Sequence, residues 1–354
     1  MANAFFSDLL STISERGRVL LGRASPANDK QDASELLELC EALLSGRGEA
    51  SGTAMAREVL DRYHHLDAAG RLSFFQTLAR DFGPDHARLA QAIDAWRAKA
   101  NGEDASDLHF ASEPRRQELI RRLNRAPGGT GELVSIRSDL LSLMKGNKDL
   151  AALDRDVVHL LSSWFNRGFL VLRRIDWSSP ANILEKIIRY EAVHEIRDWD
   201  DLRRRIDPVD RRCYAFFHPA LADEPLIFVE VALTEAIPGA IAPLLAEERE
   251  PVPAEKARTA VFYSISNTQR GLGGISFGSF LIKQVVEELR RELPKLDTFV
   301  TLSPVPGFMQ WVKQADDVPL SDEDRQLLES LGKPGWPDNA ELDRKSTRLN
   351  SSHQ

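Results

Sequence analysis

The sequence predicts an all-helical N-terminal bundle followed by an α/β domain, and three observations carry that reading. Leucines recur at helical spacing through the first half, between short breaks of Gly, Pro and Asn. After Trp164, runs rich in β-branched and aromatic residues take over. The stretch from Thr259 to Phe308 then reads strand, glycine-rich loop, helix, strand.

Taken in order, Leu36, Leu37, Leu39, Leu43 and Leu44 share a helical stripe, with Ser34 as its expected N-cap. Helices follow at Leu72–Phe82, His86–Ala98, Gln117–Leu123 and Glu132–Leu143, punctuated by Gly46–Gly52, Gly83-Pro84, Asn101-Gly102 and Ala126–Gly131. No internal repeat is present. The change of character places the boundary near residues 150–165, giving a helical domain over 1–157 and an α/β domain over 158–342. Within the latter, Phe169–Arg174, Cys213–Phe217, Leu226–Leu233, Thr259–Ser266 and Thr298–Val305 read as strands. Pro180–Tyr190 and Ser279–Leu293 read as helices. The second helix carries an Ile282, Val285, Val286, Leu289, Leu293 stripe and stops at Pro294.

The 354 residues are 42% hydrophobic and 28% charged, which excludes bulk disorder and fibrous classes. A net charge of −8 argues against general nucleic-acid binding, so an anionic ligand needs a local site. Two cysteines, Cys40 and Cys213, are too few for a disulfide framework or zinc cluster. No apolar run reaches membrane-spanning length, so no membrane partner is expected. The amphipathic stretch Met1–Gly22 contains Asp8 and Glu15, unlike an acid-poor transit peptide, so the expected location is cytoplasmic.

The chemistry concentrates in Asn267–Gly278, Asn-Thr-Gln-Arg-Gly-Leu-Gly-Gly-Ile-Ser-Phe-Gly. Glycines let a backbone approach a ligand closely, and amides at a following helix N-terminus attract anions. A phosphate or pyrophosphate cradle is the functional reading; a connector without ligand is the other. The loop is not a Walker A motif, because no lysine occurs before Lys283, inside the helix. Nor is it a dinucleotide fingerprint, because Ser276 stands where the third glycine belongs.

The run Val261–Gly278, then Phe280–Val286, then Thr301-Leu-Ser-Pro-Val-Pro-Gly-Phe308, closely resembles the malonyl-CoA decarboxylase family. Leu160–Leu170, Glu191-Ala-Val-His194, Arg211–Tyr214, Gly48–Gly52 and Leu66–Arg71 extend the likeness over most of 45–342. The resemblance implies a self-associating helical domain and an acetyltransferase-like (GNAT) catalytic domain. It also implies conversion of malonyl-CoA to acetyl-CoA and carbon dioxide, with no cofactor beyond the CoA of the substrate.

By the same resemblance, the loop of Gln269, Arg270, Gly271, Gly273, Gly274, Ile275, Ser276, Phe277, Gly278 and Ser279 holds the CoA pyrophosphate. Arg270-x-x-Gly273 fits the wider acetyltransferase loop pattern, whereas Ile275 replaces its usual small residue. Ser303 is the family's catalytic serine, stiffened by Pro304 and Pro306; from the residues alone it reads as a strand-end turn residue. Lys283, Lys256 and Arg258 are further candidates for facing phosphates, with a solvated surface as the equal reading for Lys283.

The family also uses a histidine downstream of the serine, and no matching segment is found. His64, His65, His86 and His109 read as surface helix residues, His159 as part of the interdomain helix, and His194 and His218 as structural. The ending Asp343–Gln354, which includes His353, has no apolar periodicity and reads as a non-native tail. The catalytic domain is accordingly expected to be cut short near Leu342 and the chain to be inactive. A CoA-dependent acyltransferase and a non-catalytic CoA-ester-binding protein stand as alternatives.

Overall fold

A computed structural model describes residues 29–45, 49–98, 105–275, 280–305, 307, 310–311 and 321–331. The stretch Met1–Gly22, the loop residues Ser276–Ser279, Phe308, and the tail with His353 lie outside the described residues. The first half is helical: α1 (Asp29–Leu44), α2 (Glu49–His65), α3 (Ala68–Asp81), α4 (His86–Ala98), α5 (Ser106–Ser112), α6 (Arg115–Leu123), α7 (Gly129–Leu143) and α8 (Ala151–Trp164). Local signals explain the ends. Asp67 caps α3 by accepting the Gly70 N–H at 2.7 Å. Ser34, expected to cap the first helix, lies inside α1 instead, because helical pairing runs back through the polar Asp29–Ala33 segment.

The bundle closes around side chains spaced three and four apart. Tyr63, Phe74 and Phe75 are buried together, with ring centroids 5.7–5.9 Å apart. Leu119, Leu140 and Leu161 are buried on α6, α7 and α8. In contrast, α4 buries none of its residues.

The later chain supplies β1 (Val171–Ile175), α9 (Ala181–Tyr190), α10 (Trp199–Ile206), β2 (Arg211–His218), β3 (Leu221–Thr234), α11 (Ala242–Leu245), β4 (Thr259–Asn267), α12 (Phe280–Glu292), β5 (Thr298–Thr301) and α13 (Asp322–Leu331). The strands form a mixed five-stranded sheet in the order β1-β2-β3-β4-β5 among the described residues. On one face, α9 and α10 bury Ile183, Ile187, Leu202 and Ile206 against Cys213, Ala215 and Phe228. Burial raises the Cys213 thiol well above its ordinary range, as expected of a small core residue rather than a nucleophile.

Two strands differ from the sequence expectation. The first begins at Val171, since Arg167–Phe169 forms a 3₁₀ turn whose Gly168 N–H is held by the Asn166 side chain at 2.9 Å. The last ends at Thr301 rather than Val305. Pro304 has no N–H to give a ladder, and the residue before a proline is restricted as well.

Contacts divide the chain into two compact units. One comprises Met1–Val171, His218–Ala222 and Gln269–Gly278; the other comprises Leu172–Phe217, Asp223–Thr268 and Ser279–Gln354. The glycine-rich loop therefore packs with the helices although its sequence lies between β4 and α12. No helix among the described residues is long and apolar enough to cross a membrane.

Candidate functional site

Within the helical unit, the loop is a built feature. Arg270–Leu272 makes one 3₁₀ turn, and the amides of Leu272, Gly273 and Ile275 donate to Gln269 O, Arg270 O and Leu272 O at 2.9–3.0 Å. Gly271 and Leu272 are buried, as is Ile275, whereas Arg270, Gly273 and Gly274 are exposed. Gly274 sits at φ +78°, the left-handed region open to glycine. Gly271 is required for a different reason: a Cβ there would lie 1.8 Å from the Val134 carbonyl oxygen on α7. Arg137 of α7 fastens the same turn. Its side chain is 2% exposed, its Nη1 donates to Gly271 O at 2.6 Å and Gly273 O at 2.8 Å, and its Nε donates to Asp154 at 2.9 Å. Nothing in the local sequence announces Arg137; the Gly271 and Gly273 carbonyls it holds lie more than a hundred residues away.

The sheet unit holds the other predicted residue. β4 runs antiparallel to β3 and parallel to β5. The parallel register pairs Thr259 with Thr298 through Phe262 with Thr301, and a last bond runs from Leu302 N–H to Phe262 O at 2.9 Å. Beyond it the pairing of the two strands ends among the described residues. Continued, the register would set Ser264 opposite Ser303. Ser303 is exposed just beyond that end, and its hydroxyl makes no hydrogen bond among the described residues. On the β3 side the register shifts: Glu230 faces Ser264 and Val231 faces Phe262, leaving Tyr263 as the extra residue of a bulge. Bulges re-aim backbone and side-chain groups and gather at strand ends beside functional sites.

Around the bulge lies a buried polar cluster that sequence patterning gave no reason to assemble. Glu230 is fully buried, and Arg205 Nη1 of α10 lies 3.4 Å from its Oε2. Glu230 Oε1 and the Tyr263 hydroxyl are both buried without a hydrogen-bond partner among the described residues. Burial, reinforced by the nearby Glu191 charge and opposed by Arg205, pushes the Glu230 carboxyl up to about 7. An unfolded glutamate titrates near 4.3. The folded protein thus holds this proton more tightly, and stability attributable to Glu230 falls as pH rises from about 4.5 to about 7. Glu230→Gln, which cannot ionise, is expected to be more stable than the unsubstituted chain at pH 8 relative to their difference at pH 5. Thermal melts of both across that range check this.

The remaining candidates take the following places. Lys283, Lys256 and Arg258 are exposed. His218 contacts the Trp164 carbonyl at 3.1 Å and packs on Phe165, a structural setting within the helical unit. His194 is half-buried, and burial lowers its imidazole below the ordinary value against the opposing pull of Glu191. Among the sequence-predicted residues, Gln269–Ile275 belong to the helical unit and Ser303 to the sheet unit.

Comparison with known proteins completes the description. Residues 168–352 match the family described as malonyl-CoA decarboxylase C-terminal domain, and residues 82–165 match malonyl-CoA decarboxylase N-terminal domain. The mitochondrial malonyl-CoA decarboxylase of Anser anser anser is 41% identical over 276 residues, covering 72% of this chain and 53% of that protein. Its counterpart from Rattus norvegicus is 39% identical over 261 residues, covering 70% and 53%. The chain thus spans about half the length of the curated relatives it matches. Among solved structures, the malonyl-CoA decarboxylase of Rhodopseudomonas palustris aligns with TM-score 0.82 and 59% identity, covering 90% of this chain and 79% of that one. That of Agrobacterium vitis aligns with TM-score 0.82 and 56% identity, covering 89% and 77%.

Proposed function

Since the chain belongs to the malonyl-CoA decarboxylase family, we propose that it takes part in converting malonyl-CoA to acetyl-CoA and carbon dioxide. One observation carries the assignment to particular residues: β4 and β5 run parallel, their pairing ends at Phe262 and Thr301, and Ser303 lies exposed just beyond that end. A parallel strand pair whose connection runs, in sequence, through a glycine-rich turn and a helix agrees with the acetyltransferase-like (GNAT) reading of this domain.

In the proposed reaction the bond between the terminal carboxylate carbon and the methylene carbon breaks. Its electron pair passes into the thioester as an enolate, carbon dioxide leaves, and the methylene carbon takes a proton. The site must hold negative charge on the thioester oxygen and deliver that proton. Ser303 supplies an O–H beyond the end of the β4–β5 pairing to bond the malonyl group near the reacting carbon. The Gln269–Ser279 loop holds the CoA pyrophosphate. Within the described part of the loop, the amides of Leu272, Gly273 and Ile275 are engaged in the turn, and Gly274 is exposed. CoA belongs to the substrate, and the reaction is read as needing no other cofactor. Self-association is assigned to the helical domain.

The test is incubation of the purified chain with malonyl-CoA labelled in its free carboxylate. Labelled carbon dioxide together with acetyl-CoA would bear out the decarboxylase reading and overturn the inactivity expected from the sequence. CoA-ester binding without carbon dioxide release would overturn the decarboxylase assignment. Sedimentation velocity of the same sample checks self-association, with a species heavier than the 39.7 kDa chain expected.

A further inference from the structure

We propose that Glu191 is a positioning residue for the reaction at the end of the β4–β5 pairing, holding the half of β4 that lies beyond it. The inference rests on the decarboxylase reading given above. Glu191 follows the last residue of α9, and its carboxylate gathers four donors. The Ser264 hydroxyl donates at 2.7–2.8 Å, the Ser266 hydroxyl at 3.1 Å, and the backbone N–H groups of Val193 and His194 at 2.8 and 2.7 Å. The Ala192 N–H in turn donates to the Ser266 hydroxyl at 3.3 Å. One side chain therefore ties the Glu191–His194 turn to two alternate residues of a single strand.

Where the tie lands is what gives it a role. Ser264 and Ser266 lie beyond Phe262, the last β4 residue paired with β5, so among the described residues this part of the strand is laddered only to β3. A strand paired on one side and bulged at Tyr263 has more ways to move than a central strand, and Ser264 is the residue whose register partner would be Ser303. Fixing Ser264 therefore fixes the β4 side of that end. The tie reaches further through the turn. Arg205 donates to the His194 and Glu195 carbonyls at 2.7 and 2.8 Å, and the His194 imidazole lies against the Tyr263 backbone, with ring centroids 6.2 Å apart. Carboxylates accepting several hydrogen bonds inside a protein are strongly oriented, and misplacing a reacting group by about an ångström can cost on the order of 100-fold in rate.

The experiment compares the full chain with Glu191→Gln, which keeps the shape but turns two acceptors into an amide, and with the double variant Ser264→Ala/Ser266→Ala. Two readouts are taken: amide hydrogen exchange by segment, and kcat and KM for malonyl-CoA. In Glu191→Gln, exchange is expected to quicken in 192–195 and 263–267 while β2 stays protected. Turnover is expected to fall by about 10-fold or more, with KM changed by less than about 3-fold, and the double variant should follow in the same direction. Unchanged exchange in those segments would overturn the role of Glu191 whatever the kinetics. Quickened exchange with unchanged kcat would show a merely structural tie and would overturn it equally. Absence of turnover in the unsubstituted chain would instead strike the decarboxylase reading, and with it the catalytic part of the inference.

Discussion

Replacing Arg137 with alanine is expected to lower the stability of the helical unit by about 3–5 kcal/mol, the range for removing one member of a buried ion pair. The guanidinium is 2% exposed and serves three acceptors, Asp154 and the carbonyls of Gly271 and Gly273. Truncation leaves the Asp154 carboxylate without its cation and the buried Gly271 carbonyl without its donor. Arg137→Lys should recover only part of the loss, because an ammonium point charge cannot span a carboxylate and two carbonyls as a planar fork does. Gly271→Ala attacks the same joint sterically: a methyl group placed 1.8 Å from Val134 O forces the turn off α7, with about 1–3 kcal/mol expected at the least. Thermal melts of the three variants check the order. If the loop holds CoA, each variant should also weaken binding of acetyl-CoA, measured by calorimetry.

Ser303→Ala is expected to do the opposite: leave stability within about 0.5 kcal/mol, as for surface substitutions away from buried features, while lowering kcat by about 10²–10³-fold. That magnitude is typical of losing one hydrogen-bond donor aimed at developing negative charge. Ser303 is exposed and contributes no hydrogen bond to the fold among the described residues, so no packing or pairing is lost. KM should change little, since the loop assigned to hold CoA is untouched. Rapid-quench measurement of carbon dioxide release separates the chemical step from product release. Normal turnover in this variant would remove Ser303 from the mechanism.

Much of this molecule follows from local pattern. The helical half declares itself by leucine spacing, and β4, the following loop and α12 are legible because a β-branched run, a glycine cluster and an amphipathic stripe follow in that order. The differences share a cause. Thr301, rather than Val305, ends β5 because Pro304 outweighs the strand propensity around it, and Ser34 falls inside α1 because helical pairing continues past a good capping residue. The unannounced parts are those made by distance. Arg137 looks like any arginine on an amphipathic helix until Gly271 arrives beneath it. Glu191 looks like a helix-ending polar residue until Ser264 and Ser266 face it. Glu230 sits amid Phe228, Val229, Val231 and Ala232, where alternation gives no hint that its carboxyl will be fully buried beside Arg205. Chain-local propensity has no access to such pairs, because their energy depends on which segments meet.

The docking of the glycine turn on α7 also bears on how this protein can be taken apart. An expression boundary drawn where helices give way to strands would look natural, and it would separate Gly271 from Val134 and Arg137. A fragment beginning at Leu172 would retain every residue of the glycine-rich segment and lose the surface that shapes it. Complementation by a co-expressed fragment ending at Val171 would then be the way to restore the turn. In this chain the linear order of the sequence and the allegiance of its parts are two different maps.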